Sequence, residues 1–178
     1  MSRSGYTDDA ENVAMWRGQV ASAIRGKRGQ QLLLDMVKAL DAMPQKQLFQ
    51  GHLVAPDGGV CALGAVGLAR GVDMKQFEKH IDADGYVDDP MSLAEQLGSS
   101  LDAAYQLIQE IQYLNDEWFS HAYDAPNPKF GVPGQPQFIS RDITPEERWQ
   151  RMREWAVKHL VPVEISGEPS PPTATQGS

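Results

Sequence analysis

Cys61 is the residue whose type and position most invite chemistry. It heads an apolar run, Cys61-Ala62-Leu63-Gly64-Ala65-Val66-Gly67-Leu68-Ala69, that reads as a helix. A thiol at a helix N-terminus has its thiolate favoured by the positive end of the backbone dipole. Four histidines, His52, His80, His121 and His159, can supply a base, and Asn115 or Asp116 can orient it. Cys61, His52 and Asn115 therefore form the set for a cysteine-dependent hydrolase. The simpler reading is a buried structural thiol, because cysteine is among the most buried residue types and this helix is the most apolar in the chain. No series of strands offers a sheet to carry a base. The balance favours a protein that is not an enzyme, with no catalytic residue assigned and the Cys61 hydrolase as the alternative.

Two other segments have partial signatures. With Gly85 as the sixth residue of a calcium loop, Asp82 falls at position three, Asp84 at five and Val87 at eight, as an EF-hand requires. His80 and Met91 then occupy positions one and twelve, so the first ligand and the bidentate Glu are both missing. An acidic solvated turn accounts for the segment, and no metal or cofactor is expected. Arg25, Lys27 and Arg28 cluster beside Gly26 and Gly29 and could touch phosphate. The strand and the Lys-Ser/Thr pair of a P-loop are absent. The helix-GKRG-helix pattern also allows a helix-turn-helix, but the next helix, opening on Gln31-Leu32-Leu33-Leu34, is too apolar at its start to read bases well.

Charge is more informative. The 178 residues hold 16 Lys+Arg and 24 Asp+Glu, a net of −8, which argues against direct nucleic-acid binding. Between Gly71 and Glu117 stand eleven acids against two lysines, Lys75 and Lys79, a net of −9. The remainder is almost neutral. Such a concentrated negative field attracts basic surfaces and speeds association with them, although an acidic surface also serves plain solubility. Asp82, Asp84, Asp88 and Asp89 are the candidate contacts, with Trp118, Phe119 and Tyr123 as apolar anchors.

The elements that must position these groups are mostly helical. Helical spacing predicts helices over Thr7–Ile24, with Val13, Trp16, Val20 and Ile24 as its stripe, and over Gln30–Ala42, stopped by Pro44. A short β-hairpin is expected over about 48–60, around the turn Pro56-Asp57-Gly58-Gly59. The Cys61 helix follows as the central buried helix, then a short helix over Met74–Ile81. Asp89-Pro90 starts a helix expected to end at Gly98, and Ser99 or Ser100 should cap the next, which carries Leu101, Ala104, Leu107, Ile108 and Ile111. Residues 117–143, rich in proline and aromatics, read as an irregular loop. Thr144, Pro145 and Glu147 make a capping box for the last helix. The expectation is an all-α, mainly helical single domain over residues 1–162 with one short β-hairpin, followed by a disordered tail over 163–178.

Composition excludes several classes. One cysteine leaves no internal disulfide framework and no Cys-rich zinc module. The longest uncharged apolar stretch, Val60–Ala69, is far short of the ~20 residues that cross a bilayer. The start MSRSGYTDDAEN has no apolar core behind a basic end, so no secretory signal is expected.

Three stretches resemble an uncharacterised family of small proteins of bacteriophages and prophages. They are Trp16-Arg17-Gly18 through Ile24-Arg25-Gly26-Lys27-Arg28-Gly29-Gln30, then Gly59-Val60-Cys61-Ala62-Leu63-Gly64-Ala65-Val66-Gly67, then Leu114-Asn115-Asp116. The family carries no assigned activity. The resemblance implies a phage accessory protein acting in a bacterial host cytoplasm. Combined with the acidic segment, it leads to the expectation of an inhibitor that binds a host protein with a basic surface, such as a nucleic-acid-handling defence component. A virion or assembly component is a further alternative.

Overall fold

Two helices, α1 (Ala10–Arg25) and α2 (Lys27–Ala42), open the fold and meet at one residue. Gly26, extended at φ −67° and ψ 153°, is the N-cap of α2. The expected break over Gly26–Gly29 is therefore shorter than its composition suggests, and Lys27, Arg28 and Gly29 form the first turn of α2. Gly29 lets the corner close, since a Cβ there would stand 2.0 Å from the Ala23 carbonyl oxygen. Val20 and Ile24 of α1, and Leu32, Leu33, Met36 and Leu40 of α2, are buried, as their spacing predicts. The computed structural model describes residues 10–82, 87–118, 121–123 and 140–161. The Thr7 cap and the expected tail lie outside them.

The predicted hairpin contracts to a single antiparallel bridge, Val54 with Val60. The turn itself forms: Ala55 N–H donates to Gly59 O at 2.8 Å, and Asp57 accepts from Gly59 N at 3.0 Å. The ladder stops there because side chains compete for the backbone donors. Glu78 Oε1 accepts from Leu53 N (2.6 Å) and Val54 N (2.8 Å), and Asp116 Oδ1 accepts from Gly51 N (3.4 Å). A carboxylate is the stronger acceptor, so these residues follow Glu78 and Asp116 and not a partner strand.

Helix α3 (Ala62–Ala69) is the central one, packed against α2 and against α6 (Tyr105–Tyr113), with every residue from Ala62 to Gly67 buried. Its interior glycine at position 64 is sterically required: a Cβ would lie 1.8 Å from the Leu53 carbonyl oxygen. Helix α4 (Lys75–Glu78) is shorter than the expected Met74–Ile81. Helix α5 (Pro90–Ser100) is capped by Asp89, which accepts from Ser92 N at 3.0 Å. It runs past Gly98, and Leu101–Ala104 form the connection to α6 (Tyr105–Tyr113). The expected cap at Ser99 or Ser100 is thus displaced. Leu101 N–H still bonds Leu97 O at 2.8 Å, and Ala103 N–H then turns back to Gly98 O at 2.8 Å.

Helix α6 widens into a π-helical turn, Leu114–Trp118. Strands β1 (His121–Tyr123) and β2 (Ser140–Asp142) pair antiparallel, with His121 opposite Asp142. The segment expected to be irregular over 117–143 is therefore ordered at both ends where it is described. Helix α7 (Pro145–His159) begins in the predicted capping box. Thr144 Oγ1 accepts from Glu147 N at 3.2 Å, and Thr144 N donates to Glu147 Oε2 at 2.9 Å. The fold is mainly helical, with seven α-helices among the described residues. None of these helices is long and apolar enough to cross a membrane.

Candidate functional site

Cys61 is buried, at 3% exposure, and acts as the N-cap of α3, its Sγ accepting from Gly64 N at 3.4 Å. Asn115 reaches the same helix end: its Oδ1 accepts from Ala62 N at 3.3 Å. Its Nδ2 donates to Phe49 O (2.9 Å) and to Asp116 Oδ1 (2.7 Å). The structure thus brings Asn115 to the helix that Cys61 heads, but spends the amide on backbone and on its neighbour.

His52 is directed elsewhere. Its Nδ1 lies 2.9 Å from Glu78 Oε2, while the other oxygen of Glu78 holds Leu53 and Val54. The three residues named for a hydrolase therefore split into two polar sets, one capping α3 and one fastening the 52–54 backbone.

Sequence inspection missed Arg148, which joins these elements. It is 5% exposed and donates from Nε to Asn115 O (3.0 Å), from Nη1 to Leu48 O (3.1 Å) and from Nη2 to Gln50 Oε1 (2.8 Å). Burial pulls its pKa below the usual arginine value, opposed by the negative charges of Asp116 and Asp142. The only available signal was its place one residue before Trp149, on the margin of the apolar stripe of α7. Leu114-Asn115-Asp116 and the Cys61 helix are thus parts of one polar junction.

The acidic segment is less uniform than its composition. Glu78 and Asp116 serve the interior, and Asp102 pairs with Arg28 at 3.5 Å. Glu110 lies in a cleft where burial pushes its carboxyl above the usual range, opposed by the nearby Trp16 indole and by Arg17 and His159. What remains outward is narrower. An antiparallel bridge between Ile81 and Val87 ties the two ends of the acidic loop together. Asp82, Asp88 and Asp89 are exposed at its base, and Glu95 is exposed along α5. Among the described residues neither Asp88, Asp89 nor Glu95 has a lysine or arginine within ion-pair distance. Three acids elsewhere are matched by arginines, in Asp35–Arg70 (2.7 Å), Asp41–Arg153 (2.5 Å) and Glu147–Arg141 (2.7 Å).

Asp84 and Phe119 lie outside the described residues. Trp118 sits at the end of the π-helical turn and Tyr123 at the end of β1, and only their backbones are described. Comparison with known proteins finds no family model, no curated protein and no solved structure that matches this chain.

Proposed function

We propose that the protein is a non-enzymatic binding protein, a phage accessory factor that attaches to a basic host protein in the bacterial cytoplasm and inhibits it. The observation that carries this reading is the Ile81–Val87 bridge, which gathers Asp82, Asp88 and Asp89 on one exposed loop base. Glu95 is exposed on the adjoining helix α5. Asp88, Asp89 and Glu95, with no lysine or arginine at ion-pair distance among the described residues, keep their attraction for an approaching basic surface, and that attraction acts mainly on the association rate. Nucleic-acid-handling proteins supply most basic surfaces in a bacterium, and the phage-family resemblance makes a defence component the natural target. The burial of Cys61 and the pairing of His52 with Glu78 leave the hydrolase reading without geometric support.

The test is affinity capture from bacterial lysate at low salt, comparing the natural chain with a variant carrying Asp82→Lys, Asp84→Lys, Asp88→Lys and Asp89→Lys. A basic protein retained by the first and lost by the second supports the proposal. Identical captured sets from the two chains, or no retained protein, would overturn it.

A further inference from the structure

We infer that a cleft between α1, α6 and α7 is a binding site for a small amphipathic anion, an organic acid or phosphate ester with an apolar body. The cleft has a volume of about 570 Å³, within the range of small-molecule sites. Val20, Ile24 and Leu160 make its apolar floor and Trp155 a wall. Three permanent cations line it, Arg17 and Arg25 from α1 and Lys158 from α7, against the single carboxyl of Glu110. His159 adds a fourth basic side chain at the α7 end.

Positive charge gathered in this way is unusual in a chain of net −8. The cations are not consumed by the fold. Among the described residues Arg17, Arg25 and Lys158 have no ion-pair partner, whereas Arg28, Arg70, Arg141 and Arg153 each have one. Nor are they needed to satisfy the two helix ends that converge here. Gln30 Nε2 already donates to Ile24 O (2.8 Å) and His159 O (2.9 Å), and Gln30 Oε1 accepts from Val161 N (2.7 Å).

The ligand class follows from the placement. Arg17 and Arg25 are eight residues apart on one helix face, so their backbones are separated by about 12 Å along α1. Val20 and Ile24 lie between them. A ligand with one anionic head reaches a guanidinium while its apolar body covers this floor and the Trp155 ring. Arginine suits the head, because its planar fork holds carboxylate or phosphate with two parallel hydrogen bonds. The Trp16 indole lies beside Glu110 and moderates its carboxyl. A second cleft, of about 580 Å³ between α2, α3 and the 57–60 turn, is equally roomy but includes no cation in its lining, so size alone does not distinguish the first.

The test uses 1-anilinonaphthalene-8-sulfonate, an aromatic anion whose fluorescence rises in apolar sites, titrated into the full chain. One dye per chain is expected. The double variant Arg17→Gln, Arg25→Gln should weaken binding about tenfold or more, which corresponds to about 1.4 kcal/mol. Both arginines are exposed, and an unchanged far-UV spectrum and melting temperature establish that the variant is folded. Octanoate and octyl phosphate should displace the dye and octanol should not. The more effective of the two acids identifies the head group as carboxylate or phosphate. Dye affinity unchanged in the double variant, displacement by octanol as strong as by octanoate, or no dye binding would overturn the inference.

Discussion

Replacing Arg148 with methionine tests whether one side chain holds the polar junction together. Arg148→Met keeps most of the volume but removes donors to Leu48 O, Asn115 O and Gln50 Oε1. Two buried carbonyls lose a partner, at about 1–3 kcal/mol each. Part of this is offset, because the variant no longer buries a guanidinium. The net loss expected is about 2–4 kcal/mol, a large share of the roughly 5–15 kcal/mol that stabilises a typical domain. In a thermal melt the midpoint should fall by about 5–15 °C. Asn115→Ala should lose part of the same energy, because Asn115 holds Phe49 and Ala62 at the same junction. The double variant should therefore fall short of the sum by about 1 kcal/mol or more. A loss under about 0.5 kcal/mol for Arg148→Met, or strict additivity with Asn115→Ala, refutes the idea that the junction acts as a unit.

Gly64→Ala should destabilise by at least the roughly 1–3 kcal/mol of an overpacked core, because the new methyl meets backbone at Leu53 and not a side chain that can swing away. Chemical denaturation measures it, and a neutral substitution would show that α3 stands farther from Leu53. Cys61 should react with a disulfide reagent far more slowly in the native chain than in denaturant, since it is 3% exposed; equal rates would restore it as a candidate nucleophile. Glu147 has its carboxyl pulled down to about 2, first by the Arg141 guanidinium and then by the Thr144 N–H. A carboxyl whose pKa is lowered on folding adds stability above its ordinary value near 4.5 and loses it as pH falls toward about 2. Glu147→Gln should therefore lower stability at pH 7 and flatten its decline between those two values, and an unchanged acid limb would contradict the pairing.

The helices were legible wherever apolar spacing and caps agreed. Thr144-Pro145-Glu147 and Asp89-Pro90 announce their helices because the capping chemistry is local, within a few residues of sequence. The 48–60 region was not legible in the same way. Its turn residues are local, but the acceptors that stop the ladder, Glu78 and Asp116, lie far along the chain. The break at Gly26–Gly29 misled because two glycines and two cations look like a loop, when one residue suffices to turn the chain and Gly29 is there for close approach. Of the candidate site, the exposure of Asp82, Asp88 and Asp89 follows from composition, whereas the cleft between α1 and α7 joins residues more than a hundred positions apart. Nothing in the spacing of Arg17 and Lys158 announces that they meet.

The amide of Gln30 has a consequence for how the molecule comes apart. It grips the last carbonyl region of α1, the end of α7 and the N–H of Val161 at once. A helix terminus ordinarily frays one residue at a time at almost no cost. Here the final turn cannot peel away without releasing the corner between α1 and α2 as well, so α1 and α7 should exchange their amide hydrogens as a single cooperative unit, although Gln30 and His159 stand 129 positions apart.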